Sequence, residues 1–250
     1  MVGAPACADA VARARRLPRL GVGLHLNLVE GRPVLPSEQV PDLVDRSGDF
    51  DANMLRAGCR FFFGRRARRQ LAAEIRAQFA AFRATGLALD HVNAHRHMHI
   101  HPTVARLIVL IGREFNLSAM RVPAEPQRVL RCAAAAEGGR VFPPLYAPWI
   151  ALLRRRLRRA GLVLNDHLLG LAWTGAMTEE RLLRLLALLP EGTSEIYCHP
   201  AARQTPRLLS TMPCYRPVEE LAALLSETTR ALIAERGIEL VSYADLGAAS

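Results

Sequence analysis

Histidines are concentrated in one short segment of this chain. Five of the eight histidines occupy odd-numbered positions there, namely His91, His95, His97, His99 and His101. If the backbone is extended, alternate side chains point the same way, so we expect all five imidazoles on one face. Neutral imidazole is a common ligand of transition metals, and the segment therefore predicts a metal site with positions left for water. Hydrogen bonding to loops, or adventitious metal binding, is the competing explanation.

His25 is the second candidate ligand, because apolar and less apolar residues alternate around it. The strand predicted over residues 22–28 has Val or Leu at even positions and Gly23, His25 and Asn27 at odd positions. A lone histidine on a strand is more often a satisfied core or surface residue than a ligand. Opposite the histidine segment, however, His25 can complete an open site with two or three protein ligands.

Strands and helices are predicted to alternate along the chain. Helices are expected at residues 4–17, 66–84, 103–115, 148–160, 178–189 and 218–236, and strands at residues 22–28, 87–93, 119–122, 195–198 and 239–243. Residues 31–53 and 124–145 are expected to be irregular. The alternation favours a parallel sheet or a β/α barrel, in which chemistry collects at the carboxyl ends of strands. His25, His95 and His199 are expected at or near such ends.

The basic charge of the chain comes from arginine alone. The sequence contains no lysine, so all 33 basic residues are arginine, and the formal net charge is +10. Such a bias is typical of a GC-rich genome, which weakens the charge as an argument for nucleic-acid binding. The missing lysine amine excludes Schiff-base catalysis, and the absence of a Gly-x-Ser-x-Gly sequence disfavours a serine hydrolase.

The cysteines indicate a reducing compartment. The five cysteines are scattered and include no Cys-x-x-Cys pair, so neither a disulfide framework nor a thiolate zinc site is predicted. No apolar run reaches the ~18 residues that a membrane span needs, and no signal peptide precedes the predicted fold. We expect a cytoplasmic protein, with peripheral contact at the inner membrane surface as an open alternative.

Three motifs together resemble one enzyme family. The strand sequence of residues 23–28, the histidine segment of residues 90–102 and Tyr197-Cys198-His199-Pro200 occur in the order typical of the YdjC-like carbohydrate deacetylases. The resemblance covers essentially the whole chain. It implies an α/β fold, a distorted (β/α) barrel of the polysaccharide-deacetylase type. It also implies metal-dependent hydrolysis of the N-acetyl group of a sugar.

Further details are most similar to one branch of that family. Arg60-Phe61-Phe62-Phe63 and Asn165-Asp166-His167 look closest to the hopanoid-biosynthesis-associated branch, HpnK. That likeness implies an N-acetylglucosaminyl hopanoid as the substrate, and more generally an N-acetylated glycolipid or sugar as the partner. A homodimer is an open alternative.

The resemblance also implies roles for individual residues. The family's two metal-binding histidines match His25 and His95, which implies one divalent ion, with magnesium or zinc expected. The expected catalytic residues are His199 and His97, since an imidazole with a pKa of ~6.5 can transfer protons near neutral pH. Roles in supporting the ligands or contacting substrate fall to Asn27, His91, Asn93, His99 and Arg121. Asn93 stands where the family usually has Asp, and because an amide cannot act as a base, we expect it to orient a neighbour.

The family pattern opens with a strand that carries Asp-Asp-Phe-Gly, and its aspartates supply a metal ligand and the general base. This chain begins after that point. We therefore expect a single domain over residues 1–250 that lacks its first strand. That departure leaves open a non-catalytic homologue, bound to a membrane surface or to a complex.

Two arginine-rich segments carry the alternatives to catalysis. The helix predicted at residues 148–160 combines five arginines with Trp149 and is typical of helices at anionic lipid surfaces, although a solvated arginine face over a core contact is more common. The arginines around Phe61–Phe63 mix with aromatic residues as some single-strand binders do. Those aromatics are contiguous and no nucleic-acid motif is present, so no nucleic-acid partner is expected.

Overall fold

The computed structural model describes residues 1–133 and 147–248. The regular elements of these residues are short parallel strand pairs and amphipathic helices. Their contacts divide them into two units. The first unit comprises Met1–Arg121, Leu153–Leu164 and the segment from Val241 onward. The second comprises the described parts of Val122–Leu152 and Asn165–Leu240. No helix in the described ranges is long and apolar enough to cross a membrane.

The sheet of the first unit is a parallel pair of β1 (Leu24–Leu26) and β2 (Val92–Ala94). Backbone hydrogen bonds from Leu24 to His91 and from Asp90 to Val22 continue this pairing beyond β1 and β2. Single bridges join Val92 to Met120 and Ala119 to Val163. The predicted strands at residues 22–28 and 87–93 are therefore confirmed in position, although the regular pairing is shorter.

The first unit includes, in chain order, α1 (Cys7–Ala14), α2 (Met54–Phe63), α3 (Arg65–Ala84) and α4 (Pro102–Gly112), of which α3 packs against β1. The long helix α3 buries an apolar stripe at Leu71, Ile75, Phe79 and Phe82, which are spaced three and four residues apart. Helix α2 was not predicted. It begins at Asn53, whose side chain accepts a hydrogen bond of 2.9 Å from the amide of Arg56.

A second, polar stripe on α3 holds the loop that follows β1. Gln70, Glu74 and Gln78 are four residues apart and are all buried, so they lie on one side of the helix. These side chains accept hydrogen bonds of 2.8 to 3.0 Å from the backbone amides of Asn27, Val34, Leu35 and Asp42. Backbone amides in residues 27–42 thus donate to side-chain oxygens of α3, which replace the backbone acceptors that a helix or a sheet would provide.

The second unit is built around β3 (His167–Leu169) and β4 (Ser194–Ile196), which also pair in parallel. Its helices are α5 (Gln127–Ala133), α7 (Glu179–Ala187), α8 (Pro206–Thr211), α9 (Pro217–Leu225) and α10 (Glu227–Glu235). The core is an apolar cluster that includes Leu169, Trp173, Met177, Leu182, Leu185 and Ala223. Helix α7 confirms the prediction at residues 178–189, whereas β3 was not predicted.

The arginine-rich helix is α6 (Ala147–Arg159), as predicted. Its apolar residues Ile150, Leu153 and Leu157 are buried in the protein, while Leu152 is exposed. An apolar face that is already covered does not favour insertion into lipid. Membrane contact stays a prediction.

Three predicted elements are wrong. The helix expected at residues 218–236 is interrupted at Ser226, whose extended backbone ends α9 and whose side chain caps α10 by accepting from the amide of Thr229. The strand expected at residues 239–243 is absent from the described residues, because Ser242 and Asp245 bond reciprocally and start α11 (Tyr243–Ala248). The segment expected to be irregular at 124–145 contains α5, and its residues 134–145 lie outside the described residues.

The mixed α/β class with parallel strands is confirmed. The described strands form two separate two-stranded sheets, so a closed barrel and a missing first strand are not confirmed.

Candidate active site

The β1–β2 pair places two polar side chains next to each other. His25 and Asn93 are partners in the parallel register, so their side chains lie on the same side of the sheet. Leu24 and Leu26 point to the opposite side and are buried. Nδ1 of His25 forms a short hydrogen bond with Oδ1 of Asn93. The predicted role of Asn93, to orient a neighbour, agrees with this contact.

Asn93 is joined in turn to the residues that precede β2. Its Nδ2 lies 3.2 Å from Nε2 of His91, and Nδ1 of His91 lies 2.8 Å from Oδ2 of Asp90. The ring of Tyr243 packs on His91 with the ring centroids 4.5 Å apart. Burial raises the pKa of Asp90, but hydrogen bonds from His91 and from backbone amides, including that of Ala244, outweigh it and lower the pKa below its ordinary value. Asp90 is therefore an ionised carboxylate at neutral pH.

His95 follows β2 directly and faces Glu30. Nε2 of His95 lies 2.9 Å from one carboxylate oxygen of Glu30, and Nη2 of Arg96 donates to the other at 2.7 Å. Burial raises the pKa of Glu30, yet the hydrogen bonds from Arg96 and His95 prevail and lower it. The ring centroids of His25 and His95 are 5.9 Å apart. The two predicted ligands are thus neighbours, and each has a polar partner.

Burial keeps His25 neutral. It lowers the pKa of His25 to about 3, although the hydrogen bond with Asn93 acts in the opposite direction. The charges of His95 and Arg121 contribute to the lowering. An imidazole with so low a pKa is unprotonated at neutral pH, which is the form that binds metal ions.

The prediction of an extended histidine segment is wrong. Residues His95–Ile100 form 3-10 turns, and Arg96 and His97 adopt left-handed backbone angles with φ of 52° and 55°. The turn breaks the two-residue repeat after β2, because left-handed residues reverse the chain direction rather than extend it. Only His91 and Asn93 keep the face that alternation predicted, with His95 directly after them.

The remaining histidines of the segment go to different places. His99 is fully buried, and its Nδ1 accepts a hydrogen bond of 3.0 Å from the amide of Ala94. The ring of His97 lies edge-on to His99, with the centroids 5.7 Å apart. His101 turns toward α2, where it contacts the ring of Phe61. His99 and His101 are therefore packed within the protein, and the roles predicted for His99 beside the ligands and for His97 in catalysis stay predictions.

Asn27 and Arg121 support the site from two sides. The side chain of Asn27 donates to the backbone oxygen of Glu30 at 2.7 Å and so holds the turn in which Glu30 has a φ of 59°. Arg121 pairs through its backbone amide with the carbonyl of Val92 at 3.1 Å. Its charge acts on both His25 and His99. Contact of either residue with substrate stays a prediction.

The donor chemistry of His25 and His95 fits a divalent metal ion. His25 is neutral, and its hydrogen bond with Asn93 engages only Nδ1, just as the contact of His95 with Glu30 engages only Nε2, so each ring has a second nitrogen for a metal ion. Within residues 1–133 and 147–248, no group of three or more His, Cys, Asp or Glu side chains is arranged to hold a metal ion. The fit therefore rests on two imidazoles.

His199 belongs to the second unit and follows β4 by three residues. Its backbone amide donates to Glu220, which is fully buried and also accepts from the amide of Met177 at 2.9 Å. Burial raises the pKa of Glu220 against these two hydrogen bonds. The ring of His199 lies between those of Tyr197 and Tyr215, with centroid distances of 4.6 and 5.1 Å.

A cavity of about 280 Å³ opens beside His199 in the second unit. Its lining is His199, Pro200, Ala201, Gln204, Leu208, Met212, Tyr215 and Pro217. None of these side chains carries a full charge at neutral pH unless the imidazole is protonated. The cavity therefore suits an uncharged and partly apolar group.

Three residues of these two sites escaped the sequence analysis. Glu30, Asp90 and Glu220 are the carboxylates that hold His95, His91 and the backbone of His199. Asp90 stands directly before His91, so its position was a usable signal. Glu30 and Glu220 are 65 and 21 residues away from their partners, and no local pattern links such pairs.

Comparison with known proteins agrees with these motifs. The family described as "YdjC-like protein" matches residues 1–235. A carbohydrate deacetylase of Geobacillus stearothermophilus is 30% identical, over 97% of this chain and 83% of the relative, and a chitooligosaccharide deacetylase of Yersinia pestis is 30% identical, over 91% and 79%. A crystal structure from Enterococcus faecalis, named for cellobiose-phosphate cleavage, has a TM-score of 0.72 and 25% identity over 98% of this chain and 85% of its own. The chain belongs to the YdjC-like family.

Proposed function

We propose that this protein hydrolyses the N-acetyl group of an acetylated amino sugar and releases acetate and a free amine. The relatives named as carbohydrate and chitooligosaccharide deacetylases support the reaction class. The observation that carries the proposal is the neutral His25, fixed by Asn93 beside His95. Such a pair of oriented imidazoles is suited to a metal-dependent hydrolase rather than to general binding.

In this proposal His25 and His95 hold one divalent ion, with magnesium or zinc expected. A bound divalent ion supplies Lewis-acid polarisation of an amide carbonyl and lowers the pKa of water. The chain's own residues set the geometry: Asn93 fixes the ring of His25, and Glu30 fixes the ring of His95. Protonation of the leaving amine is assigned to His199 by the family pattern, and that assignment is a prediction.

The identity of the acetylated substrate and the barrel architecture are part of the same proposal. The branch-level motifs support an N-acetylglucosaminyl hopanoid as the substrate, and the parallel strand pairs are compatible with the barrel of the family. A cytoplasmic location, peripheral membrane contact and a homodimer stay predictions.

Acetate release from the metal-loaded full chain tests the proposal. We expect release from N-acetylglucosaminyl hopanoid that exceeds release from chitobiose, and loss of both release and bound metal in His25→Ala and His95→Ala. His167→Ala is the matched control, because it removes an imidazole from the second unit. Metal content and activity that are undiminished in both site variants would rule out this site. Release from chitobiose alone would assign another sugar substrate.

A further inference from the structure

Hydrogen-bond chemistry gives a direction to the series Asp90, His91, Asn93 and His25. The carboxylate of Asp90 only accepts, so Nδ1 of His91 carries a proton and donates to it. The atom of Asn93 that faces Nε2 of His91 is the amide nitrogen, which can only donate, so Nε2 accepts through its lone pair. The amide then presents its oxygen to His25, whose proton must lie on Nδ1. The lone pair of His25 is left on Nε2.

The carboxylate of Asp90 disfavours the opposite orientation of the Asn93 amide. If the amide were turned around, its oxygen would require a proton on Nε2 of His91. Unless the ring took up a second proton, the lone pair on Nδ1 of His91 would then face the Asp90 carboxylate at 2.8 Å, and two acceptors would repel each other. Because Asp90 is ionised and buried, this repulsion is not relieved by water.

Two glycines make room for the series. A Cβ atom on Gly23 would lie 2.6 Å from the ring of His91, and one on Gly21 would lie 2.8 Å from the carboxyl group of Asp90. Both distances are shorter than any van der Waals contact. The sequence Gly21-Val22-Gly23 ahead of His25 therefore permits Asp90 and His91 to pack directly against the backbone.

We infer that Asp90 is a positioning residue that fixes the tautomer of His25 through His91 and Asn93, three hydrogen bonds away. The consequence for metal rests on the proposed function, since Nε2 is the nitrogen that His25 offers to an ion. Asn at position 93 is required by this direction: its amide donates to His91 and accepts from His25, which a carboxylate cannot do. The departure from the family's usual Asp is thereby explained by the neighbouring Asp90 and His91.

An isosteric substitution at Asp90 tests the direction. In Asp90→Asn, the new amide oxygen is held by the amide of Ala244, which now bonds to Oδ1 at 3.0 Å. The new amide nitrogen then donates to Nδ1 of His91 and reverses every link, so the proton of His25 moves to Nε2. We expect ¹⁵N chemical shifts of histidine-labelled, metal-free full chain at pH 7 to show Nδ1–H for His25 in the native protein and Nε2–H in Asp90→Asn.

Zinc binding gives a second readout that does not depend on activity. Titration with Zn²⁺ alone is expected to show affinity about 10- to 100-fold weaker in Asp90→Asn, the range usual for partners of metal-ligating histidines. Asp9→Asn, on the exposed side of α1, is the matched control and is expected to match the native protein in both measurements.

Asn93→Ala cuts the series and keeps the inference testable if Asp90→Asn does not fold. We expect His25 to become a mixture of both tautomers in that variant. Nε2–H for His25 in the native protein, or an unchanged Nδ1–H form in a folded Asp90→Asn or Asn93→Ala variant, overturns the inference. Neither result bears on whether the protein releases acetate, so failure here is distinguishable from failure of the proposed function.

Discussion

Single residues of the first unit show how burial and hydrogen bonding prepare an imidazole for chemistry. His25 is neutral because burial lowers its pKa to about 3, and His99 has a pKa well below the ordinary value for the same reason. Both rings are held by a specific partner, the amide oxygen of Asn93 and the backbone amide of Ala94. The neutral state is thus a property of the fold, and it links the site to stability.

The depressed pKa of His25 predicts acid sensitivity of the fold. In the unfolded chain an imidazole titrates near ~6.5, so between pH 6.5 and about 3 the unfolded state binds the extra proton. This contribution to stability is fully present above pH 6.5 and is lost as the pH falls toward 3. We expect the free energy of unfolding, measured with urea, to fall less between pH 7 and pH 4.5 in His25→Gln than in the native protein. His167→Gln is the control, and an equal fall in all three proteins contradicts the prediction.

Because His91 packs closely on Gly23, we predict that a methyl group at position 23 destabilises the fold. Gly23→Ala places a Cβ atom 2.6 Å from the His91 ring, and overpacking of this kind typically costs about 1–3 kcal/mol. Gly58→Ala is the matched control, because its Cβ atom meets His101 at an ordinary 3.5 Å and a helix favours alanine by up to about 1 kcal/mol. Urea denaturation measures both. A Gly23→Ala variant as stable as Gly58→Ala would contradict the prediction, because it would show that the ring of His91 can move away without loss of stability.

At the scale of elements, the sequence patterns predicted those helices and strands whose positions depend on the local spacing of apolar residues. The predicted bounds of α3 are correct to within one residue, and the alternation around His25 gave the buried and accessible faces of β1. The left-handed turn at Arg96 and His97 could not be predicted, because positive φ is uncommon for any residue other than glycine, and the enrichment of histidine there does not single out one of five closely spaced histidines. Likewise, Ser226 acts as a helix cap only because α9 ends there, and nothing in the apolar pattern of residues 218–236 marks that end.

The polar stripe of α3 predicts a large difference between two Glu→Gln substitutions. Glu74 is fully buried, and its two carboxylate oxygens accept from the backbone amides of Val34 and Leu35. In Glu74→Gln the side-chain NH₂ group faces one of these two amides, so two donors meet. An unsatisfied buried donor costs about 1–3 kcal/mol. Glu114→Gln makes the same substitution in a half-exposed ion pair with Arg76, where screening by solvent makes the loss small. Thermal and urea unfolding compare the two, and equal losses would contradict this role of the stripe.

At the scale of the whole molecule, the candidate residues belong to two units. His25, His91, Asn93 and His95 lie in the first, and His199 lies in the second with Glu220 and the cavity. Metal binding therefore tests the first unit independently of the proton-transfer role predicted for His199. The family resemblance, rather than spacing, was what connected His199 with His25 in the sequence analysis.

A metal ion bound to the folded state alone must stabilise the chain. At a free concentration 100 times its Kd, such a ligand adds about 2.7 kcal/mol to the free energy of unfolding. We expect Zn²⁺ or Mg²⁺ to raise the melting temperature of the native protein and of His167→Ala, and to leave that of His25→Ala and His95→Ala unchanged. An equal rise in all four proteins would place the ion elsewhere.

The clamp of Gln70, Glu74 and Gln78 on residues 27–42 has a consequence for the dynamics of the region around Glu30. Amide hydrogens in a loop usually exchange with solvent in seconds, but those of Asn27, Val34, Leu35 and Asp42 are bonded to side chains of a buried helix face. We expect loop and helix to open as one cooperative unit, because an amide of the loop that leaves its acceptor also leaves a buried polar group of α3 without a partner. Deuterium uptake at these four amides is expected to be as slow as within α3. The turn that carries Glu30 is then as rigid as the helix that holds it.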